Sequence, residues 1–243
     1  MRLNRFLAWC GVSSRRKADQ IIKEGRVLVN GKKVYSPWFT VSSNDTVEFN
    51  GVELTPRPRV YFIFHKPKGV TTTVKDNFAP KKVVDFFSKK EVKVFPVGRL
   101  DKDSSGLLIL TNDGNLCYRL THPKFQIEKE YLLWVKGNVT KDILDKLKEG
   151  IKDRGDFLRV NSAVVVKRDK CRSKLRVVVC EGKKRHLRRL LGRLGFPVLT
   201  LKRVRIGNLK LGKLKPGKFK KISAELIYKL TLGNWSKRTS KDN

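Results

Sequence analysis

Residues 97–114 read Val-Gly-Arg-Leu-Asp-Lys-Asp-Ser-Ser-Gly-Leu-Leu-Ile-Leu-Thr-Asn-Asp-Gly, and no other stretch is as informative about the fold. Two glycines, Gly98 and Gly106, bracket a polar loop that runs into an apolar segment typical of a strand buried on both faces. Asp101 lies in this loop, where an aspartate either forms a turn or presents a carboxylate for chemistry. Asp103 and Asp113 fit the same description, so the pattern alone does not single out one acid.

Short apolar runs and helical patterns flank this stretch without a regular alternation. Strict alternation of strands and helices would indicate a parallel doubly wound sheet. Its absence predicts an α+β fold in which a mixed, mainly antiparallel sheet forms the larger domain. The predicted strands cover residues 60–64, 106–110, 131–135, 163–166, 175–179 and 198–201, and the predicted helices include 83–87, 183–194 and 223–230.

The first 55 residues predict a small unit of two helices followed by strands. Apolar residues from Leu3 to Leu7 lie at helical spacing, Gly11 ends that helix, and Asn30-Gly31 supplies a hairpin turn. The predicted organisation is a module at residues 1–55, a proline-containing linker at 56–59, a larger domain at 60–232 and a polar tail at 233–243.

The charge balance indicates a polyanionic partner. The chain has 56 Lys and Arg against 22 Asp and Glu, a formal net charge of +34. A folded protein this basic repels itself unless a polyanion neutralises it, and nucleic acid is the usual one. The alternatives, a lysine-rich proteome or a thermophile with a charged surface, predict acids that rise along with the lysines, and here they do not.

Membrane, secretory and metal-binding classes receive no support. No stretch approaches the roughly 18 apolar residues of a membrane span, and the apolar run after the basic N-terminus is too short for a signal peptide. The 4 cysteines are scattered and the 3 histidines isolated, which predicts reduced thiols in a cytoplasmic protein and no metal site.

Two cationic segments are candidates for RNA contact. Residues 183–194 predict an amphipathic helix whose leucines face a core and whose cations lie largely off that stripe. In the N-terminal unit, serines precede a helix start rich in cations, a reasonable phosphate cradle. Each segment can also be a plain solvated basic face.

Residues 98–114 resemble the signature of bacterial ribosomal-RNA pseudouridine synthases of the RsuA/RluB family, with its fixed glycines and its Arg-Leu-Asp. Three further segments resemble family landmarks in the same order: the strand end at residues 65–69, the basic helix at 181–189 and the strand at 201–207. Lys129-Glu130-Tyr131 resembles the family's Lys-x-Tyr strand. Residues 1–55 resemble the alpha-L RNA-binding domain, of the ribosomal S-four type. Two positions depart from the usual pattern, His186 in place of Gln and Leu190 in place of Met.

The resemblance implies site-specific isomerisation of uridine to pseudouridine in ribosomal RNA, without a cofactor. Asp101 is then the essential carboxylate, acting as a nucleophile or as a general base. Lys183 matches the basic position that favours its ionised form, and Arg99 and Arg185 are further cations expected nearby. Tyr131 matches the aromatic residue that contacts a flipped uridine, although it can also be an ordinary strand tyrosine.

Several finer expectations accompany this interpretation. Leu187 forms part of the pocket wall or is a plain core leucine. A large-subunit RNA is slightly favoured over a small-subunit RNA, and we expect a monomer in a bacterial cytoplasm. The residues expected to contact RNA are Arg5, Ser14, Arg15, Arg16, Lys17, Arg26, Lys32, Lys33, Lys66, Arg188 and Arg189.

Two rival interpretations share the charge and the RNA-binding module. A non-catalytic RNA-binding ribosome-assembly factor does not need the intact Arg99-Leu100-Asp101 together with Tyr131 and Lys183. A structural ribosomal protein would be present stoichiometrically in mature ribosomes, which fractionation would reveal.

Overall fold

A computed structural model of the chain describes residues 1–76, 78–87 and 93–232. The chain forms two compact units, the first spanning Met1–Arg59 and the second beginning at Val60. The predicted polar tail at 233–243 lies outside the described residues. Among the described helices, none combines the length and the apolar character needed to cross a bilayer.

The first unit contains two helices and a small antiparallel sheet. The helices are α1 (Leu3–Cys10) and α2 (Arg15–Lys23), and the strands are β1 (Val27–Val29), β2 (Lys32–Lys33), β3 (Val47–Phe49) and β4 (Val52–Glu53). The strands lie in the order β2-β1-β3-β4. Leucines, isoleucines and valines from both helices and the sheet form one buried core, so the apolar stripes of the two helices face the strands that follow them.

The helix boundaries in this unit follow from capping chemistry. Gly11 adopts a left-handed conformation (φ 83°) after α1, a backbone geometry that glycine tolerates without strain. Ser14 begins α2, where its hydroxyl accepts a hydrogen bond from the Lys17 amide at 3.4 Å.

The segment predicted as a linker is held against α1. Trp9 Nε1 donates to the Arg57 carbonyl at 2.8 Å, and Arg57 Nε donates to the Cys10 carbonyl at 3.0 Å. The guanidinium of Arg59 lies 5.0 Å from the centroid of the Trp9 ring. The first unit therefore extends beyond the predicted end of the module.

The second unit is built around a nine-stranded sheet. Its strands and helices alternate irregularly along the chain, as predicted. The elements are β5 (Tyr61–Lys66), β6 (Phe95–Pro96), β7 (Ser105–Thr111), α3 (Gly114–Thr121), β8 (Lys129–Lys136), α4 (Lys141–Glu149), β9 (Ile151–Asp153), β10 (Asp156–Leu158), β11 (Ser162–Asp169), β12 (Arg172–Val179), α5 (His186–Arg193), β13 (Val198–Ile206), β14 (Leu209–Lys210), β15 (Phe219–Ile222) and α6 (Ala224–Leu232), with short 3-10 helices at Val83–Phe87 and Pro123–Phe125.

The order of strands in this sheet confirms the predicted fold class. The main path runs β11-β12-β8-β13-β7-β5-β15, with β14 beside β13 and β6 beside β7, while β9 and β10 form a separate hairpin. The β13–β7 pair is parallel and the other strand pairs of the described chain are antiparallel. The fold is thus α+β with a mixed, mainly antiparallel sheet.

Helices cover the sheet in two places. Helices α4 and α5 pack leucines against β8, β11, β12 and β13. Helices α3 and α6 pack against β5, β7 and the end of β13. Alternate residues of β5 and β7, such as Phe64 and Leu108, turn to a further cluster with the 3-10 helix at Val83–Phe87. Both faces of these two central strands are covered, which explains their continuous apolar sequences.

The structure corrects the predicted extent of the basic helix. Helix α5 begins at His186, and Arg185 before it has a left-handed backbone (φ 52°). Lys183 and Lys184 therefore belong to the approach to the helix. The hairpin of β9 and β10 was not predicted, because its two three-residue strands are too short to show a repeating pattern.

Candidate active site

A pocket of about 480 Å³ lies beside the loop of residues 98–104, here called the Asp101 loop. The loop forms one wall, Tyr131 of β8 another, and the segment from Glu181 to Leu187 a third. All six residues that the sequence analysis assigned to chemistry line this one pocket: Arg99, Asp101, Tyr131, Lys183, Arg185 and Leu187. They come from three regions of the chain, so tertiary folding brings them together.

The second bracketing glycine brings the Asp101 loop onto the sheet. Gly106 (φ 112°) pairs with Arg203 where β7 runs parallel to β13. A Cβ at this position would lie 2.1 Å from the Arg203 carbonyl oxygen and 2.6 Å from its nitrogen. Only a residue without a side chain allows this approach of two backbones.

Lys66, at the end of β5, anchors the loop from beneath. Its amine is fully buried and donates to the carbonyls of Ser104 at 2.7 Å, Pro67 at 3.0 Å and Lys102 at 3.4 Å. Burial lowers the pKa of Lys66 to about 8, while the nearby carboxylates of Asp103 and Asp101 oppose the shift. The expected contact of Lys66 with RNA is therefore corrected: the side chain holds the Asp101 loop from inside.

The environments of the three acids that the sequence could not separate are different. Asp113 is buried, caps α3 and accepts hydrogen bonds from the hydroxyls of Tyr61 at 2.9 Å and Tyr228 at 2.7 Å. Asp103 forms ion pairs with two arginines near α5. The carboxylate of Asp101, within the described chain, has no hydrogen-bond or ion-pair partner, and it faces the pocket. Asp101 is thus the acid left available for a ligand.

Lys183 makes contacts different from those expected of it. Its amine donates to the Phe157 carbonyl at 2.6 Å and lies 2.8 Å from Glu181 Oε2, in an ionic contact without hydrogen-bond geometry. No ion pair between Lys183 and Asp101 is formed. The supporting role expected of Lys183 near the Asp101 carboxylate stays a prediction, and in the structure Glu181, two residues earlier, holds its amine.

The other predicted pocket residues differ in exposure. Arg99 is exposed and makes no hydrogen bond or ion pair with the described residues. Arg185 is also exposed and lies 3.6 Å from Asp103. Tyr131 is half-buried, with its strand paired on both sides. Leu187 is buried in the core under α5 and also lines the pocket, so both interpretations of this residue hold.

Two arginines of α5 that were expected to contact RNA are used inside the protein. Arg188 donates to the carbonyls of Val198 at 3.1 Å and Asp103 at 3.2 Å. Arg189 pairs with Asp153 at 2.6 Å and Asp156 at 2.7 Å on the β9–β10 hairpin. Their side chains are only 11% and 15% exposed. The RNA contacts expected of both residues are therefore corrected: each arginine fastens the helix to a neighbouring segment.

Some residues of the site escaped the sequence analysis. Glu181 directs Lys183, and Thr72 binds the Asp101 loop by donating to the Leu100 carbonyl at 2.7 Å. His186 is buried, and because a carbonyl only accepts, its Nε2 donates to the Arg159 carbonyl at 2.9 Å. Burial lowers the pKa of His186. The partners of Thr72 and His186 lie far away in the sequence, and the contact of Glu181 with Lys183 depends on how the folded segment turns, so the sequence did not assign these roles.

The candidate RNA contacts of the first unit lie mostly on its surface. Arg26 also pairs with Glu24 at 3.5 Å and Asn50 at 3.3 Å, and Arg5 is half-buried. The remaining candidates are exposed, namely Ser14, Arg15, Arg16, Lys17, Lys32 and Lys33.

Comparisons with known proteins identify the family of each part of the chain. The RNA pseudouridylate synthase family matches residues 60–192, and the S4 domain family matches residues 1–47. The chain is 41% identical over 204 residues to ribosomal large subunit pseudouridine synthase B of Bacillus subtilis (strain 168), covering 83% of this chain and 84% of that protein. It is 40% identical over 225 residues to an uncharacterized RNA pseudouridine synthase of Aquifex aeolicus (strain VF5), covering 92% and 90%.

A solved structure extends the similarity to the fold. The crystal structure of a pseudouridylate synthase, 29% identical, covers 95% of this chain and 100% of its own, with a TM-score of 0.66. This chain is therefore an isomerase that belongs to the RNA pseudouridine synthase family, in the RsuA/RluB type that joins an S4 domain to a synthase domain.

Proposed function

We propose that this enzyme converts a specific uridine of ribosomal RNA, in the large subunit, to pseudouridine, with Asp101 as the essential carboxylate. The observation that carries the proposal is the unpartnered carboxylate of Asp101 in a pocket shared with Tyr131 and several cations. The name of the Bacillus subtilis relative supports the choice of large-subunit RNA. We further infer that the enzyme works as a monomer in the cytoplasm.

The reaction rearranges bonds without changing the oxidation state. The glycosidic bond from the sugar to nitrogen 1 of uracil breaks, the base turns, and carbon 5 forms the new bond to the sugar. Carbon 5 then loses its proton, and nitrogen 1 gains one, so atoms and electrons balance without a cofactor. Asp101 either adds to the sugar or the base as a nucleophile or removes a sugar proton as a base.

Both roles require an ionised carboxylate and an accessible one. Within the described chain the Asp101 oxygens have no protein partner, which leaves them accessible to a nucleotide. Burial lowers the pKa of Lys66 below the loop to about 8, which is still above neutral pH, so its amine supplies a positive charge near them. Arg99 and Arg185 at the exposed part of the pocket are suited to the phosphates that flank the target nucleotide. The buried cation thus acts on the loop and the exposed ones on the RNA.

Tyr131 is suited to hold a uridine that has left its stack. Extruding a base from a stacked helix costs a few kcal/mol. Stacking on an aromatic ring returns roughly 1–3 kcal/mol per base. A half-buried ring in the wall of the pocket provides such a surface, so Tyr131 lowers the energy of the flipped state.

The test is chemical mapping of pseudouridine in ribosomal RNA, by carbodiimide adducts and primer extension, in cells with and without this gene. We expect one stop that disappears on deletion and returns with the wild-type gene but not with Asp101→Asn. Asp142→Asn is the matched control: its carboxylate is exposed on α4 and does not line the pocket, so this variant should restore the stop. A stop restored equally by Asp101→Asn would refute the role of Asp101.

The alternative is a non-catalytic RNA-binding ribosome-assembly factor. This function needs the basic surface but no available carboxylate. It predicts an unchanged pseudouridine map in both ribosomal subunits after deletion, together with altered ribosome assembly. The same experiment therefore discriminates the two functions.

A further inference from the structure

The first unit exposes three aromatic side chains within five residues. Trp38 is 63% exposed, Tyr35 is 59% exposed and Phe39 is 39% exposed. Large aromatic rings contribute most to stability when buried, so a cluster on the surface of a small unit indicates a contact with another molecule. The unit already has a complete core without these rings.

The segment that carries the rings is held firmly. Phe39 N donates to the Ser36 carbonyl at 3.1 Å, which closes a turn with the buried Pro37 at its second position. Leu3 N donates to the Phe39 carbonyl at 2.8 Å, which ties the turn to the start of α1. Trp38 is thus presented by an ordered turn, so a ligand need not order the backbone.

Two of the three exposed rings, Trp38 and Tyr35, are supported on one side. The guanidinium of Arg2 lies 4.3 Å from the centroid of the Trp38 ring. Tyr35 lies against Gly25, where a Cβ would come within 2.5 Å of the Tyr35 ring. A ring that is supported on one side and open on the other is a platform for a planar ligand.

We propose that Trp38 is a stacking platform for an unpaired nucleobase of the RNA substrate, with Arg2 as the cation behind the ring. The inference rests on the proposed function for the identity of the RNA and adds a contact outside the pocket. Base–aromatic stacking tolerates every base because each has a π-face. The exposed cations Lys32 and Lys33 on the strand just before the turn suit the negative backbone of the same RNA.

The test is binding of the full chain to two probes at one fixed salt concentration: a single-stranded oligouridylate and a GC-rich RNA duplex of equal length. We expect Trp38→Ala to weaken binding of the single strand by roughly 5- to 150-fold, the range for losing one stacked base. Binding of the duplex should change less than about twofold, since its bases are not available to stack. Trp38→Phe keeps a ring and should retain most of the affinity.

Val52→Ala is the matched control, because Val52 lies in the same unit with the same 63% exposure. It should bind both probes as the wild type does. Unchanged binding of the single strand by Trp38→Ala, or an equal loss with both probes, would overturn the proposal. So would concentration-dependent self-association of the free wild-type chain that Trp38→Ala abolishes, since Trp38 would then contact a second copy. None of these outcomes bears on the pseudouridine map, which tests the proposed function separately.

Discussion

Replacing Lys66 by Met tests whether a buried amine holds the catalytic loop. Methionine has a similar length and an apolar end, so the core position stays filled. The variant removes two hydrogen bonds to carbonyls of the Asp101 loop, at 2.7 Å and 3.4 Å, and one to the adjacent Pro67 carbonyl at 3.0 Å. The Asp101 loop loses its support from beneath while Asp101 itself is unchanged.

The expected loss of stability follows from two opposing contributions. Hydrogen bonds from a charged donor contribute roughly 1.5–3 kcal/mol each, and the two shorter ones dominate. The burial that lowers the Lys66 pKa from 10.5 to about 8 destabilises the charged form by roughly 3 kcal/mol, so removing the amine offsets about that much. The hydrogen bonds together exceed this offset, and the free energy of unfolding should fall by about 1–3 kcal/mol at neutral pH.

The difference should depend on pH in a defined direction. The folded chain releases the Lys66 proton near pH 8, and the unfolded chain keeps it to its ordinary pKa of 10.5. The folded state therefore binds fewer protons between these values, and wild-type stability rises with pH there. Lys66→Met lacks this rise, so its deficit should widen above about pH 8. Lys129, whose pKa burial also lowers to about 8, is present in both proteins and cancels in the comparison.

The measurements are denaturant unfolding at several pH values and single-turnover release of the carbon-5 proton from the substrate RNA. We expect a slower chemical step at saturating RNA with little change in RNA affinity. Lys68→Met is the matched control, since Lys68 is exposed two residues away and should change stability by under about 0.5 kcal/mol. Wild-type stability and rate in Lys66→Met would refute the anchoring role.

The remaining predictions concern the frame around the pocket. Gly106→Ala should destabilise the chain by more than about 3 kcal/mol in thermal unfolding, because the alanine Cβ would clash with the Arg203 backbone and the residue would keep a positive φ. Gly192→Ala is the control and should be neutral or stabilising, because the space around Gly192 is open. Equal effects of the two substitutions would contradict the close approach at Gly106. Asp153→Asn should reduce stability at neutral pH but not in acid. Hydrogen bonds from Arg189 and Arg193 hold the Asp153 pKa below its ordinary value, so the ionised carboxylate stabilises the folded state. That contribution to stability is lost as the pH falls through the pKa of Asp153 in the folded state. Asp145→Asn, at a half-exposed ion pair, should show a smaller change in the same titration.

Helix α5 shows that a basic sequence does not always form a basic surface that is free to bind RNA. A helix dense in arginines with no acid among its own residues indicates a surface for polyanions. In the folded chain, Asp153 and Asp156 of the hairpin and Asp103 of the Asp101 loop pair with these arginines. Part of the positive charge of α5 therefore stabilises the Asp101 loop and the β9–β10 hairpin, and less of it is available to RNA than the sequence indicates.

The sequence by itself determined the class of the fold and the residues of the pocket. Apolar runs reveal strands because burial on both faces excludes polar residues, and irregular alternation with helices indicates a mixed sheet. The resemblance of the glycine-bracketed loop to a known signature selected Asp101, and the resemblances of residues 129–131 and 181–189 selected Tyr131 and Lys183. All three residues line one pocket. Such features are local, so the order of residues is enough to read them.

Only the tertiary structure decided which partner each charged side chain has. Lys66, Arg188 and Arg189 resemble the exposed cations in sequence, yet each is bonded to a segment at least thirty residues away. The same holds for the three acids of the motif, of which only Asp101 faces the pocket without a partner within the described chain. The physical reason is that burial and ion pairing depend on contacts between distant segments, and the free energy of a charge is set by those contacts rather than by its neighbours in sequence.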